Sequence, residues 1–210
     1  MSGGSSQLVT IVDYGMGNLH SVRRQLERIG ARTLVSSDPA EVLRAEKLVL
    51  PGVGHFGRAM QNLHERHLVD ALTEVVMVRR APILGICLGM QLMAQRSEEG
   101  EVAGLGWIDA EVVRFRVPDQ LRFKVPHVGW NQVIATRAST LLKNLPVDSE
   151  FYFVHSYHLA TRATDLVCFE TEYAYRFASG VETQNLFGVQ LHPEKSHDVG
   201  TSLLKNFLGV

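Results

Sequence analysis

Cys87 stands in Gly85-Ile86-Cys87-Leu88-Gly89, with a glycine two residues to either side and the apolar stretch Pro82-Ile83-Leu84 before it. A cysteine that only fills a core needs neither glycine. A nucleophile carried on a sharp strand-to-helix turn needs both, because side chains two positions away collide with the neighbouring strand and helix. Such a turn projects Cys87 from the carboxyl end of a strand. Backbone N–H groups of the following helix then lie beside it, where they favour the thiolate and can hold an oxyanion. The competing reading is a small buried hydrophobe. The spacing alone leaves both open.

A cysteine nucleophile needs a histidine to handle its proton, and that histidine needs an acceptor to fix its tautomer. Val189-Gln190-Leu191-His192-Pro193-Glu194 offers both: a short strand leads to His192, and Pro193 constrains the chain so that Glu194 can turn back onto the imidazole. A His-x-Glu pair is common by chance, but much less so beside such an elbow. A third stretch, Leu50-Pro51-Gly52-Val53-Gly54, closes the preceding predicted strand. Its glycines let backbone N–H groups approach a substrate oxygen. With glycine on both sides of Val53, the Gly52–Val53 peptide can also turn at little steric cost. The plainer reading is an ordinary Pro-Gly turn.

These residues have to be positioned by the elements between them. Gln7 to Asp13, Thr33 to Ser36, Lys47 to Leu50 and Pro82 to Ile86 read as strands. They alternate with helical segments: one from the cap Asn18 to Gly30, one starting at Asp38-Pro39, and one over Phe56 to Arg80 with apolar residues at helical spacing. That alternation predicts βαβ units on a parallel sheet buried on both faces. The second half predicts strands at Ala110 to Arg116, Gly129 to Ile134, Phe151 to Ser156, Leu166 to Tyr173 and Leu186 to Gln190, then a helix over Val199 to Leu208.

The 210 residues carry a formal net charge of -1 with no long basic run, which argues against nucleic acid or an anionic membrane as the main partner. No apolar segment approaches the roughly 20 residues that span a bilayer. The expectation is a soluble cytoplasmic protein, with residues 1–6 (MSGGSS) as a flexible tail and residues 7–210 as one domain. Two cysteines are too few for a disulfide framework. Cys168 lies in a predicted strand without glycines or a basic neighbour and reads as an inert core thiol. His55, His64, His67, His127, His155, His158 and His197 show no metal-ligand spacing and read as surface, structural or interface residues. No metal or cofactor is expected.

Together the three stretches resemble the class I glutamine amidotransferases of the Cys-His-Glu type, over nearly the whole chain from Val9 onward. Within that family the chain is similar to the branch of glutaminase subunits that serves imidazole glycerol phosphate synthase. Asp13-Tyr14-Gly15-Met16-Gly17-Asn18-Leu19, Pro51 to Gly54, Gly85 to Gln91, Val128-Gly129-Trp130-Asn131, Tyr152 to Tyr157 and His192-Pro193-Glu194-Lys195-Ser196 carry the likeness. His55 departs from it, where a small residue often follows Pro-Gly-Val-Gly.

The resemblance implies a single-domain α/β fold: a central, mostly parallel sheet flanked by helices, with additional antiparallel strands. It implies that Cys87 attacks L-glutamine, that His192 is general base and acid, and that Glu194 orients it. It implies Gly52, Val53 and Leu88 as the oxyanion region, and Gln91 with His155, Ser156 and Tyr157 as the grip on the amino-acid end of glutamine. It further implies a separate (β/α)8 cyclase subunit that receives the ammonia, with Asn18, Trp130 and Lys195 as candidates for its docking face. Two alternatives stay open. One is a paralogous amidotransferase serving nucleotide-sugar or surface-polysaccharide synthesis; the other is a non-enzymatic or peptidase-like member of the same superfamily.

Overall fold

Apolar runs bounded by turns build the first half of the chain into parallel strands, in a computed structural model that describes residues 7–210. The MSGGSS stretch lies outside the described residues. The elements are β1 (Leu8–Val12), α1 (Leu19–Arg28), β2 (Arg32–Ser36), α2 (Pro39–Leu43), β3 (Leu48–Gly52), α3 (Phe56–Glu65), α4 (Leu68–Thr73), β4 (Ile83–Cys87) and α5 (Leu88–Gln91). The two caps read from the sequence are in place. Asn18 accepts from the Ser21 N–H at 3.3 Å, and Asp38 accepts from the Ala40 N–H at 2.8 Å with Pro39 at the first helical position.

Phe56 to Arg80, expected as one helix, is two. His67 adopts a left-handed conformation at φ 55 and separates α3 from α4, and α4 then runs into a π-helical turn over Glu74–Val78. The apolar spacing survives the break, since Met60, Leu63, Leu68, Leu72 and Val76 are all buried. Period alone does not show where a helix axis turns.

The second half supplies β5 (Arg96–Ser97), β6 (Val102–Ala103), β7 (Glu111–Arg114), β8 (His127–Gln132), β9 (Ile134–Ala135), β10 (Glu150–His155), β11 (Tyr157–Ala160), β12 (Val167–Tyr173), β13 (Tyr175–Thr183), β14 (Leu186–Val189) and α6 (His197–Leu208). Among the described residues the main sheet has 12 strands, with the order β2-β1-β3-β4-β14-β13-β11-β7-β5-β6 and with β12 and β9 joined through β13. From β2 to β14 neighbours run parallel; from β14 to β7 they alternate in direction. β8 and β10 form a separate antiparallel pair.

Residues alternate between the faces of the parallel half as its period requires. Leu48 and Leu50 of β3 pack on one side with Phe56, Leu63, Leu72 and Met90, while Val49 and Leu84 pack on the other with Val22, Leu26, Leu204 and Phe207. Helices therefore cover both faces, as the near-continuous apolar strands demand. Lys47 ties α6 down from inside: its buried ammonium donates to the carbonyls of Phe207, Leu208 and Val210 at 2.9–3.1 Å, satisfying the helix's last acceptors.

Candidate active site

Cys87 ends β4 at φ 53 and ψ -109, a conformation that a non-glycine residue adopts only when its surroundings impose it. The flanking glycines are needed sterically. A Cβ at Gly89 would sit 1.7 Å from the Leu50 carbonyl oxygen, and one at Gly85 would sit 2.7 Å from the Gly89 carbonyl group. Close packing of β3, β4 and α5 thus forces the turn. The Leu88 N–H opens α5 and has no partner within the helix.

β3 lies directly alongside, with Gly52 opposite Cys87 in register. That places the Pro51 to Gly54 stretch next to the thiol, as its position in the sequence predicts. A Cβ at Gly52 would meet the Tyr14 hydroxyl at 2.2 Å and the Leu88 Cβ at 2.9 Å. The Tyr14 hydroxyl is fully buried and has no hydrogen-bond partner, and burial, with Cys87 nearby, pushes its pKa up.

β14 is the other neighbour of β4, with Val189 opposite Ile86. Beyond it the chain delivers His192 and Glu194. The His192 Nδ1 meets Glu194 Oε1 at 2.9 Å, both side chains being almost wholly buried (1% and 2% exposed). The His192 turn is clamped at its backbone: its N–H donates to the Tyr152 carbonyl at 2.9 Å, and its carbonyl accepts from Ser196 Oγ at 2.6 Å. Burial alone would depress the imidazole pKa. The Cys87 thiolate and the Glu194 carboxylate overcome that and raise it to about 10. Nδ1 is committed to Glu194, so Nε2 is the nitrogen left for chemistry; it is buried and unpartnered.

A cavity of about 310 Å³ opens on Cys87, lined by Val53, Gly54, Cys87, Leu88, Gln91, Glu99, Pro126, Val154, His155, Ser156 and Tyr157, while His192 and Glu194 do not line it. It lies at the small end of the range for small-molecule sites. Val53, Leu88, Gln91, His155, Ser156 and Tyr157 come from distant stretches of sequence, and the fold brings them together around Cys87. Gly52 sits just behind, opposite the thiol. Larger grooves of about 630 and 690 Å³ lie elsewhere, over β11–β13 and over Arg114 to Val125, and Cys87 lines neither.

Three residues of the site have no separate signal in the sequence. Glu99 lines the cavity and accepts from the Phe56 N–H at 2.7 Å through one carboxylate oxygen, leaving the other for a ligand. Gln190, fully buried, bridges Gln91 and Cys87. His127, read among the surface, structural or interface histidines, is buried and pairs with His155 at 3.0 Å. The hydrogen-bond directions there follow from one fixed point. The Tyr157 carbonyl can only accept, so His155 Nδ1, 2.8 Å away, carries a proton. His155 Nε2 then accepts from His127 Nδ1, and His127 Nε2 accepts from the Asn131 amide at 3.3 Å. Burial keeps both rings neutral: it lowers His127 to about 4 and His155 well below the usual range.

The docking-face candidates fall at the same end of the sheet. Trp130 is half-exposed and stacks on His197 at 4.9 Å and 5°. Tyr152 meets Trp130 edge-on at 6.1 Å, and the Lys195 ammonium lies 5.5 Å from the Tyr152 ring centroid. Asn18 caps α1, which packs against the Pro193–Lys195 turn. Its capping role is what the structure shows directly.

Residues 10–209 match the family described as glutamine amidotransferase class-I, and the chain belongs to that family. Among its relatives, the "Imidazole glycerol phosphate synthase subunit HisH 2" of Pseudomonas aeruginosa is 46% identical over 96% of this chain and 98% of its own length. The protein of the same name in Methanococcus maripaludis is 44% identical over 96% and 98%. "Imidazole glycerol phosphate synthase subunit HisH" of Moorella thermoacetica is 48% identical over 95% and 93%. Solved structures share the fold at low identity. PurLQS from Thermotoga maritima has a TM-score of 0.72 at 16% identity, covering 98% of this chain and 99% of its own. A glutamine amidotransferase from the same organism has a TM-score of 0.65 at 16%, covering 96% and 82%. No helix among the described residues is long and apolar enough to cross a membrane.

Proposed function

We propose that this chain is the glutaminase subunit of an imidazole glycerol phosphate synthase, hydrolysing glutamine to glutamate and ammonia on Cys87. The observation that carries it is a thiol on a strained elbow that opens on a cavity of about 310 Å³, with the buried His192–Glu194 pair delivered by the neighbouring strand β14. In this reading residues 7–210 act as one catalytic domain.

The thiolate of Cys87 attacks the side-chain carbonyl carbon of glutamine. The resulting oxyanion accepts from the Leu88 N–H and from the Val53 N–H of the Gly52–Val53 peptide. His192, protonated through Nε2 and held at Nδ1 by Glu194, gives its proton to the leaving nitrogen as the C–N bond breaks. Ammonia departs and a γ-glutamyl thioester remains. His192 then takes a proton from water, which attacks the thioester and releases glutamate. The free Oε1 of Gln91 and the free oxygen of Glu99 suit the α-ammonium group of the substrate, while His155 to Tyr157 wall the same end of the cavity.

Ammonia in neutral water is mostly protonated and lost as a nucleophile, so it has to pass directly to the enzyme that uses it. The acceptor is a separate (β/α)8 cyclase subunit, docked on the face formed by Trp130, Lys195 and the neighbouring Asn18 region. The isolated chain should hydrolyse glutamine poorly and be switched on in the complex, by a turn of the Gly52–Val53 peptide that aims its N–H at the oxyanion. Losing one such donor lowers turnover roughly a hundred- to a thousandfold, so activation should appear mainly in kcat. A fall in KM at constant kcat would instead point to a rigid loop.

The second reading is a paralogue that feeds ammonia to a cyclase-like partner in another pathway. The deciding assay mixes the chain with the histidine-pathway cyclase, its phosphoribulosyl-formimino-AICAR phosphate substrate and glutamine. Glutamine-dependent formation of imidazole glycerol phosphate supports the first reading. Glutaminase activity without that product supports the second.

A further inference from the structure

Gln190 has no task in the mechanism above, yet it is fully buried and touches the sulfur that reacts. It follows β14 directly, two residues before His192, so the parallel pairing with β4 sets it beside Cys87. Its backbone N–H donates to the Ser179 carbonyl at 2.9 Å, which fixes its position.

The direction of its side-chain bonds follows from a neighbouring carbonyl. Gln91 faces the Tyr157 carbonyl at 3.0 Å, and a carbonyl only accepts, so the Gln91 atom there is its NH2 nitrogen. The same nitrogen lies 2.9 Å from a Gln190 side-chain atom, which must then be the Gln190 oxygen. The NH2 group of Gln190 is thereby turned to Cys87, with Nε2 3.4 Å from Sγ. Both donors of Gln91 are taken, and its own oxygen is the atom left for a ligand in the cavity that it lines.

We propose that Gln190 is a catalytic residue with two simultaneous contacts: its N–H stabilises the Cys87 thiolate, and its carbonyl oxygen locks the Gln91 amide in the orientation that receives glutamine. This rests on the assignment of Cys87 as nucleophile made above. An N–H pointed at sulfur favours the charged form, which can accept, over the thiol, whose acceptor strength is weak. No bond is made or broken by Gln190; it sets how much thiolate is present and which way the substrate grip faces.

The test replaces Gln190 with methionine, which keeps the length and volume and removes both polar contacts. The pH midpoint of Cys87 alkylation by iodoacetamide is measured on the full chain, with the modified site read by peptide mass spectrometry. Glutaminase kcat and KM are measured in the complex with the cyclase. Gln190→Met should raise the alkylation midpoint by about one pH unit, the scale of one hydrogen bond to a charged group. It should also raise KM for glutamine about tenfold and lower kcat. Gln91→Met should raise KM while leaving the alkylation midpoint within a few tenths of a unit, which separates the two contacts. Should Gln190→Met fail to fold, Gln190→Asn, too short to hold both contacts, must shift the same midpoint upward. An unchanged midpoint in a folded Gln190 variant overturns the proposal. If the wild-type complex does not hydrolyse glutamine, the glutaminase reading fails, and the alkylation midpoint still decides the contact between Gln190 and the sulfur.

Discussion

The two cysteines of this chain sit in regions built on opposite principles. Cys168 lies inside β12, fully buried, at an irregularity in the pairing with β13, and burial pushes its thiol up to about 12. Cys87 ends β4 in a strained conformation, with a donor from Gln190, the ring of His192 beside it and a cavity in front. Both are nearly inaccessible by area, so burial does not distinguish them. The surrounding dipoles and charges do: burial and the Glu182 carboxylate hold the Cys168 thiol up against the weaker pull of Ser139 and Arg137, while Cys87 has the Gln190 N–H aimed at its sulfur.

The largest effect should come from exchanging the roles. Cys87→Ala is expected to lower glutamine turnover in the complex roughly 10⁴-fold or more, the scale of losing a nucleophile. Cys168→Ala should leave kcat and KM unchanged and lower stability by about 1 kcal/mol, or roughly 2–4 °C in Tm. Retained turnover in Cys87→Ala would erase the contrast.

Within the reactive region, the parts should rank by how directly they meet the reaction. His192→Ala should lose nearly as much as Cys87→Ala, because residues that act as a unit are not additive. Glu194→Gln should lose about a hundredfold less than His192→Ala, since it orients the base instead of moving the proton. Equal losses, measured as kcat at saturating glutamine, would mean that Glu194 does more than orient.

The two regions should also differ in how they respond to acid. His127 and His155 are held neutral near the cavity, His127 at about 4 and His155 well below its usual range, both chiefly by burial. Folded-state pKa values below the unfolded value of about 6.5 mean that the unfolded chain takes up protons first. The stability that these rings contribute is therefore complete above about pH 6.5 and is lost as the pH falls toward 4. Tm should be several degrees lower at pH 5 than at pH 7, and His127→Gln, which can still donate to His155, should flatten that dependence.

An effect as small as that of Cys168→Ala, and of opposite sign, belongs to Tyr14, whose hydroxyl is buried beside Gly52 without a partner. Tyr14→Phe removes an unsatisfied donor and should raise Tm by about 2–4 °C, on the order of 1 kcal/mol. A fall in Tm would show that the hydroxyl has a partner in solution.

How much of this is legible in the sequence follows the range of the interaction. The elbow, the His-Pro-Glu turn and the Pro-Gly-Val-Gly loop are short motifs whose chemistry is local, and each appears where its spacing places it. Gln190 and Glu99 act through contacts between distant parts of the chain, as in the pairing of Gln91 with Gln190, so nothing local marks them. β13, the longest strand, gives little strand signal because Ala178-Ser179-Gly180 lacks the bulk expected of a strand. Gly180 is required there because a Cβ would lie 2.1 Å from the Phe169 ring. β11 is hidden because only Ser156 separates it from β10. The break at His67 carries neither glycine nor proline, so the periodic pattern runs through it.

The central claim is that one thiol, and not the other, forms a covalent bond to substrate. Acid-quenching the complex during glutamine turnover and mapping the cysteine peptides by mass spectrometry tests it directly. A γ-glutamyl adduct on the Cys87 peptide, lost in His192→Ala and never seen on the Cys168 peptide, is the predicted result. An adduct on Cys168, or steady turnover with Cys87 unmodified and replaceable by alanine, would contradict it.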